Sequence, residues 1–410
     1  MHSVIEEIQR FSPGALFWPL HSEWAWLVYA LAFACCAALA LAWMAVMAMA
    51  WTYGERKIAG FIQGRIGPNR VGPWGLLQPI ADGIKLLAKE DVIPRISSRV
   101  LYVLAPALVF IGALLPFAAL PFSERLVPVD MELALLYILA FEAIEVIGIL
   151  MAGWAPGSKW SLYGGMRLAA QMLSYEIPMG LCVLVIVLLC GSLDFTEIVA
   201  WQSTTAWGLE HPWILGWAIF RSPAALLAFF IFYIGGLAAT KRAPFDLPEA
   251  ESELVAGYHT EYSGMRFAFF FMAEYASMYV ICALCAILFL GGWHGPLPVP
   301  SVPDGATITG RWLEFTGSLD AADKAPLLRL AAASFELFQD PQSMRIMLRE
   351  AIGAVNMLGK SFALYFIMIW VRWTLPRIRI DQVMYLCLKV LLPFALGCVV
   401  WTMIQVALFP

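Results

Sequence analysis

Five carboxylates stand together between two long apolar segments, in a chain of which only 14% is charged. They belong to the sequence PFDLPEAESELVAGYHTEYSG, which begins at Pro244, and they are Asp246, Glu249, Glu251, Glu253 and Glu261. A helix through this segment would carry Asp246, Glu249 and Glu253 on one stripe, because they are spaced i, i+3 and i+7. Carboxylates this close repel one another, and removal from water favours the protonated form, so the pKa values of such a cluster are expected to rise. The segment could therefore take up and release protons.

The same residues also suit the start of a helix that has no chemistry. Asp246 could be the N-cap, Pro248 would stand in the first turn, and Glu249 would occupy the third position. A capped helix and a proton-exchanging cluster are compatible, so both interpretations stay open.

The composition indicates an integral membrane protein. Of the 410 residues 61% are hydrophobic, a share that soluble domains do not reach. No isolated basic stripe supports nucleic-acid binding. Most of the eight cysteines lie in apolar runs, and Cys282 and Cys285 form a C-x-x-C that no second pair or nearby histidine completes. We therefore predict small buried cysteines, with no metal and no redox centre in this chain.

Eight segments are long and apolar enough to cross a membrane, since a span needs about 20 residues. They are 24–50, 100–120, 131–153, 167–191, 223–240, 265–291, 355–373 and 384–408. The first is not expected to be a cleavable signal, because Glu6 and Glu7 precede it in place of a basic region. The predicted fold class is an all-α integral membrane protein of about eight transmembrane helices, forming a single membrane domain over residues 1–410.

Three loops stand out between these spans. The first, 52–99, contains an amphipathic stretch at 74–89, which we expect to lie at the membrane interface or to close a cavity floor. The second is the acidic segment 241–264. The third, 292–354, opens with prolines and has helix-like stretches at 326–338 and 341–352, for which surface packing or a partner contact is expected.

Charge asymmetry predicts the orientation. Lysines and arginines are concentrated in the loops that follow the odd-numbered spans. By the positive-inside rule these loops face the cytoplasm or its organellar equivalent, and both termini face outward. The loops 52–99 and 241–264 are then inner loops, and 292–354 is an outer loop.

Four acids lie inside predicted spans, where an ionisable side chain is costly and is usually functional or paired. Glu142 and Glu145 share a face of the third span, Glu176 lies in the fourth and Glu274 in the sixth. No lysine or arginine lies at comparable depth in these helices, so we predict a line of protonatable sites rather than buried ion pairs. Alternatively, each acid could be protonated and bonded to a backbone carbonyl.

Mixed charges also collect where the spans meet the inner loops. They are Glu55, Arg56, Arg65 and Asp82 after the first span, and Arg372, Arg377, Arg379 and Asp381 between the last two. Solvated loop charge would explain any single one of them. Together with the aromatic residues around them, they would also suit a polar, redox-active headgroup whose apolar tail enters from the bilayer. Composition does not decide between these two interpretations.

Four blocks of sequence carry a resemblance to one family. They are ERKIAGFIQGRIGPNRVGPWGLLQPIADGIKLLAKE from Glu55, AGWAPGSKWSLYGGMRLAAQMLSYEIP from Ala152, RAPFDLPEAESELVAGYHTEYSGMRFAFFFMAEY from Arg242 and LPRIRIDQVMYLCLKVLLP from Leu375. In their order and in their places between the spans, they resemble the quinone-chamber membrane subunit of respiratory NADH:quinone oxidoreductase, complex I. The match runs from the first span to the last and leaves out the leader and much of the loop 292–354.

The resemblance implies a subunit of a proton-pumping translocase that holds no cofactor of its own. It would enclose a tunnel for ubiquinone or menaquinone, and it would join the membrane arm to hydrophilic subunits that carry FMN and iron–sulfur clusters. Small membrane subunits would link it to antiporter-like pumping subunits, and lipids would surround it. An alanine-rich composition favours a bacterial cytoplasmic membrane.

Carried onto matching positions, the resemblance implies three sets of residues. Those lining the quinone tunnel would be Glu55, Arg56, Arg65 and Asp82. Those of the acidic inner loop would be Asp246, Glu249, Glu251, Glu253 and Glu261, with Glu176 and Glu274 continuing the proton path into the membrane. Those bracing the inner loops against the hydrophilic arm would be Arg372, Arg377, Arg379 and Asp381.

The chain departs from the family pattern in two places. Where the family often reads ETNR before PFDL, this chain has Ala239, Thr240, Lys241 and Arg242, so one carboxylate is absent and a lysine replaces an asparagine. In the third span many members lack acids, whereas this chain has Glu142 and Glu145. We hypothesise that one of these two supplies the missing carboxylate, with Glu145 preferred because it lies nearer the inner end.

Two other functions compete with the complex I interpretation. The related subunit of membrane-bound hydrogenases shares PFD-like and EYSG-like segments, but the long RIGPNRVGPWGLLQPIAD and PEAESELVAGYHTEYSG blocks favour complex I. A free-standing ion transporter would be expected to contain inverted repeats with broken helices, and the sequence contains no internal repeat.

Overall fold

The computed structural model describes residues 25–129, 131–204, 214–248, 251–298 and 341–408. Over these residues the chain forms thirteen α-helices and no strand. In order, α1 to α13 are Ala25–Ile62, Gln78–Ala88, Arg99–Leu114, Ala134–Trp154, Lys159–Cys190, Phe195–Ser203, Ala218–Arg221, Pro223–Ala239, Glu251–Leu254, Gly264–Phe289, Pro341–Thr374, Ile380–Tyr385 and Leu392–Leu408. The predicted all-α fold class is confirmed.

Helices stand at all eight predicted spans. Among the described residues, seven helical segments are long and apolar enough to cross a membrane; the last of them joins α12 and α13 through a π-helical turn, Leu386–Leu391. The remaining predicted span is α8, which is apolar but has 17 residues. At 1.5 Å per residue it is about 26 Å long, slightly less than the hydrocarbon core of a bilayer.

Two helices extend beyond the predicted spans and change the surroundings of charged residues. α1 continues to Ile62, so Glu55 and Arg56 lie on a helix rather than in the first inner loop. α11 begins at Pro341, so the helix-like stretch 341–352 is the first part of a span rather than part of a loop. The stretch 326–338 lies outside the described residues.

The chain divides into two compact units, Met1–Val46 and Met47–Pro410. The described part of the first unit, residues 25–46, is the beginning of α1. The second unit contains the rest of α1 and all other helices.

α10 is the most deeply buried helix of the second unit. Every residue from Met278 to Phe289 is buried, and the helix packs against α3, α8 and α11. α3 and α4 approach each other closely at Gly112, where a Cβ atom would lie 2.9 Å from the backbone nitrogen of Glu145. This close contact fixes the height of Glu145 in the bundle.

The amphipathic stretch forms a 3-10 turn, Pro73–Gly75, followed by α2. No residue of α2 is buried, and Ile80, Ile84 and Leu87 are each about half exposed or more. The predicted apolar face therefore exists and is open toward lipid or a neighbouring protein.

The acidic segment does not form the predicted helix. Residues 242–248 are turns and irregular structure, and the first α-helical residues described after them are Glu251–Leu254, which form α9. The side chain of Asp246 is ion-paired with Arg377, and the next residues, Leu247 and Pro248, are not helical. The prediction of a stripe that carries Asp246, Glu249 and Glu253 on one helical face, with Asp246 as an N-cap, is therefore wrong.

Candidate functional site

A charged cavity of about 360 Å³ lies between α1, α10, α11 and the segment that follows α8. At roughly 30 Å³ per molecule it could hold about a dozen waters or a small polar ring. We call it the charged cavity, and its lining residues are Glu55, Arg56, Ala59, Arg65, Arg242, Tyr258, His259, Phe267, Phe270, Phe271, Glu274, Tyr275, Arg372 and Trp373.

Arg242 is the centre of the ion pairs in this cavity. Its Nη1 donates to Oε1 of Glu55 at 3.1 Å, and its Nε lies 2.9 Å from Oε1 of Glu274. The guanidinium also lies over the ring of Tyr275, 4.7 Å from the ring centre. All three charged residues are less than 10% exposed. One side chain from the segment after α8 thus joins α1 to α10.

Glu55 gathers further donors around the same point. The hydroxyl of Tyr275 donates to Oε2 at 2.6 Å, and Arg372 of α11 is ion-paired with Oε1. These donors compensate the charge of a carboxylate that is almost completely buried.

Lys241, the residue before Arg242, is paired with an acid inside the helix bundle. Its Nζ lies 2.8 Å from Oε1 of Glu145, while the hydroxyl of Ser277 donates to Oε2 of the same carboxylate at 2.8 Å. The side chains of Lys241 and Glu145 are only 2% and 7% exposed. Lys241 has φ = 55°, a left-handed conformation that is uncommon outside glycine, and in this turn the side chains of Lys241 and Arg242 reach different carboxylates.

The expectation that the acids of the spans lack cations is therefore wrong for Glu145 and Glu274. Both cations come from the segment just after α8, which folds back against the helices instead of remaining in solvent. That expectation considered only the depth of charged residues along the helices. It left out loop residues whose side chains enter the helix bundle.

Glu142 and Glu176 differ from these two acids. Both are partly buried, and within the described ranges neither is ion-paired with a lysine or arginine. Glu142, Glu145 and Glu176 are close enough to interact electrostatically, and the buried side chain of Tyr175 lies within the same range. The three acids thus form a cluster in which only Glu145 has a cation among the described residues.

Of the four residues predicted to line a tunnel, three line the charged cavity: Glu55, Arg56 and Arg65. Asp82 does not, but from α2 it forms a salt bridge with Arg56 and accepts a hydrogen bond from Gln78 at 3.1 Å. It therefore acts on the cavity wall through Arg56.

A second cavity, of about 840 Å³, lies beside the acidic segment. We call it the arginine cavity, and it is lined by Arg167, Ala243, Leu247, Glu253, Arg377, Ile378, Arg379, Ile380 and Asp381. Three of the four residues predicted to brace the inner loops are here, whereas Arg372 lines the charged cavity.

The acids of this segment are held by arginines rather than by one another. Arg377 Nη2 lies 2.9 Å from Oδ2 of Asp246, and Arg167 Nη1 lies 2.5 Å from Oε2 of Glu253. The hydrogen bond and the charge of Arg167 lower the pKa of Glu253, which is the opposite of the rise expected for crowded carboxylates. The prediction that the pKa of Glu253 is raised is therefore wrong.

Among the described residues, the remaining acids of the segment make no comparable ion pair with an arginine. Glu261 contributes its backbone carbonyl, which accepts a hydrogen bond from the hydroxyl of Tyr102 at 2.7 Å. Glu249 lies outside the described residues, as does the side chain of Glu251.

Sequence reasoning missed Arg242 as a site residue, and it also missed two further polar residues of the cavity, Tyr258 and His259. The latter two belong to a 3-10 turn, Gly257–His259, that packs on α5 at Gly164, where a Cβ atom would lie 2.6 Å from the nitrogen of Tyr258. Burial, and then the nearby charge of Lys241, lower the pKa of His259 to about 4. The imidazole is thus neutral at neutral pH. A signal existed, since His259 falls inside the GYHTEYSG block.

Among the described residues, no group of three or more histidines, cysteines or acids could hold a metal ion. The buried acids Glu55 and Glu274 are ion-paired with Arg242, Glu55 also with Arg372, and Glu145 is ion-paired with Lys241. The cavity lining also contains Arg56 and Arg65, so it has four arginines and two glutamates. These features define a multi-pass helical membrane protein with a charged internal cavity.

Comparison with known proteins assigns the family. A sequence model of the NADH dehydrogenase family matches residues 35–403. The H-type subunit of NADH-quinone oxidoreductase from Chlorobium luteolum is 44% identical over 358 residues, covering 87% of this chain and 84% of the relative. Subunit 8 of the Rhodothermus marinus enzyme is 43% identical over 357 residues, covering 87% and 92%, and the H-type subunit from Geobacillus kaustophilus is 43% identical over 362 residues, covering 87% and 90%. The chain belongs to the NADH dehydrogenase family and is a complex I membrane subunit, which confirms the resemblance.

Replacing Arg242 with lysine should destabilise the protein although the charge is kept, because one ammonium cannot span Glu55 and Glu274 as the guanidinium does. We expect a loss of about 1–3 kcal/mol, measured as a lower thermal inactivation temperature of the purified assembly. Arg377→Lys is the matched control, because that pair is partly exposed and joins a single carboxylate. Equal shifts in both variants would contradict the bridging role of Arg242.

The buried imidazole predicts a pH effect. The pKa of His259 is about 4 in the folded chain against an ordinary 6.5, so the unfolded state binds more protons and stability falls as the pH drops from 6.5 toward 4. His259→Asn should reduce this acid-induced loss of folding stability by up to about 3 kcal/mol. Thermal unfolding across that pH range measures it, and a slope as steep as that of the unmodified protein would refute the assignment. His294, whose pKa burial also lowers to about 4, keeps part of the slope in both proteins.

Proposed function

We propose that the charged cavity is part of the chamber in which complex I binds quinone, and that the ion pairs around it pass the effect of quinone reduction to the acids inside the membrane. The single observation that carries the proposal is the Arg242 bridge, which joins a cavity carboxylate, Glu55, to a carboxylate of the central helix, Glu274.

The lining of the cavity suits a quinone. The headgroup is polar and accepts hydrogen bonds at two carbonyl oxygens, for which Arg65 and Arg56 offer donors. Phe267, Phe271 and Trp373 offer flat apolar surface for the ring and the first part of an isoprenoid tail. The exposed apolar face of α2 would guide the tail at the membrane surface.

Reduction would change the proton demand in the chamber. A quinone takes up two electrons and two protons to become a quinol; the electrons would come from an iron–sulfur cluster of a hydrophilic partner subunit. The protons would be drawn through the water-filled part of the cavity from groups that can release them. Because Glu55 and Glu274 are each paired with Arg242, a proton withdrawn from this network would leave an uncompensated charge that attracts a proton from the next acid.

The proton path would continue from Glu274 toward the cluster in α4 and α5, where Glu142 and Glu176 have no cation among the described residues. On the other side, the arginine cavity would receive the hydrophilic arm, with Arg379 and Asp381 as the groups most available for a partner. FMN and iron–sulfur clusters would belong to those partners. Small membrane subunits would carry the effect on to pumping subunits.

The membrane is proposed to be a bacterial cytoplasmic membrane, with both termini outside and the two cavities toward the cytoplasm. The distribution of lysine and arginine supports this orientation. The quinone function is favoured over the hydrogenase alternative because relatives at 41–45% identity are subunits of NADH-quinone oxidoreductases.

Replacing Arg65 with alanine should lower quinone reduction at least fivefold without loss of the assembled complex, because Arg65 lines the cavity and its only described side-chain partner is Gln63. Asp82→Ala should have a smaller effect of the same kind, since it acts through Arg56. The measurement is NADH oxidation by membranes with a short-chain quinone, against NADH oxidation by an artificial acceptor. Lys85→Ala, an exposed change on α2, is the control; normal quinone reduction in the Arg65 variant would contradict the proposed chamber.

Replacing Glu176 with glutamine should reduce proton translocation per NADH oxidised at least twofold, because an amide cannot accept and release a proton. The ratio of proton uptake by inverted vesicles to NADH oxidation measures the effect. Glu197→Gln makes the same chemical change at an exposed position of α6 and should leave the ratio unchanged. An unchanged ratio in the Glu176 variant would remove this residue from the path.

A further inference from the structure

α4 carries two acids one helical turn apart, and the structure gives them opposite surroundings. Glu145 has both carboxylate oxygens occupied, one by the ammonium of Lys241 and the other by the hydroxyl of Ser277. Glu142 has no ion pair within the described part of the chain. The sequence pattern places the two acids on one helical face and does not indicate that their surroundings differ.

The ion pair of Glu145 and Lys241 is almost completely shielded from solvent. Its side chains are 7% and 2% exposed, so water has almost no access to either charge. The backbone of Gly112 lies against the backbone of Glu145, and the ring of Tyr258 lies 5.8 Å from the ammonium of Lys241. Loss of the charge of Glu145 would leave the buried ammonium of Lys241 without its counter-ion.

Glu142 has the surroundings of a group that changes charge. It is half-buried in α4, and Glu145, Glu176 and Tyr175 lie within electrostatic range. Glu145 is ion-paired with Lys241, so a second negative charge one turn away would be repelled, and a proton on Glu142 relieves that repulsion. Its side chain is also partly exposed at the surface of the described chain, whereas Glu145 is 6% exposed.

We propose that Glu142 is the acid of α4 that exchanges protons, and that Glu145 is the fixed counter-ion of Lys241, which positions Lys241 and the adjacent Arg242. This assignment rests on the proposed function, since it selects one acid within the proposed proton path. It reverses the sequence-based preference for Glu145.

The proton transfer balances without any further reactant. A proton that arrives at the Glu142 carboxylate neutralises it, and the same proton leaves for an ionised Glu176 or an intervening water, which restores the Glu142 carboxylate. Lys241 and Glu145 keep their charges throughout. The pair contributes a constant field, and its net charge is zero in every step.

Four variants of the complete complex test the assignment. Glu145→Gln alone leaves the Lys241 ammonium buried without its counter-ion, so assembled complex should fall at least fivefold. The double variant Glu145→Gln with Lys241→Asn removes both charges and places at position 241 a residue that tolerates a left-handed backbone. It should restore assembly, with protons translocated per NADH within twofold of the unmodified complex. Glu142→Gln should assemble but lose at least half of that ratio, and Glu132→Gln, an exposed change just before α4, should lose nothing.

A chemical readout on the unmodified complex covers the case in which Glu142→Gln fails to assemble. Apolar carbodiimides react with protonated carboxyl groups in membranes, and fragment mass spectra localise the adduct. We expect at least fivefold more adduct on Glu142 than on Glu145. Equal labelling, or preference for Glu145, would overturn the assignment.

The variants also separate this inference from the proposed function. A double variant that assembles but stops translocating, or a Glu142→Gln complex with a normal ratio, would refute the assignment of Glu142. If Glu176→Gln lowers the ratio in the same assay, only the choice of acid in α4 fails. If Glu176→Gln is also without effect, the proposed proton path fails with it.

Discussion

The neutralisation of buried carboxylates by two neighbouring cations is the interaction on which the second unit depends. Lys241 and Arg242 follow directly after α8, and together they hold Glu145 of α4, Glu55 of α1 and Glu274 of α10. Each of these carboxylates would be costly in a membrane if it were left alone, and removal of one partner from a buried pair typically costs about 3–5 kcal/mol. One dipeptide therefore fixes three helices relative to the segment that follows α8, and it determines where the charged cavity lies.

Much of the helical architecture could be predicted from the sequence, because it depends on local properties of the chain. Apolar runs of sufficient length predict spans whatever their neighbours are, and the exposed apolar face of α2 follows from the spacing of Ile80, Ile84 and Leu87. The resemblance to complex I could be recognised because four long blocks are preserved in order. By contrast, the end of α1 at Ile62 could not be predicted from hydropathy, since its last turns carry Glu55 and Arg56 yet remain helical. Charged residues end an apolar run without ending a helix.

Several residues of the candidate site could be predicted from the sequence, but the contacts between them could not. Glu55, Arg56, Arg65 and Glu274 line one cavity, but nothing local to them predicts that Arg242 joins two of them, because this contact depends on how the segment after α8 folds back. The same applies to Glu253, whose partner Arg167 is 86 residues away. Contacts over such separations are set by helix packing. The helix predicted to start at Asp246 is another example, since its carboxylate is ion-paired with Arg377, which is 131 residues away.

The two departures from the family pattern are connected by one ion pair. By the resemblance, Lys241 stands where an asparagine is expected and Glu145 stands where many members lack an acid, and the structure brings their charges within 2.8 Å. Either change alone would bury an unpaired charge, whereas the two together are neutral. Lysine is otherwise poorly suited to φ = 55°, a conformation that asparagine tolerates, so the ion pair offsets a backbone cost as well. An acid retained for this reason is a structural counter-ion, and the carboxylate absent at Ala239 has to be replaced, on the proposed function, by a group that can still change its charge.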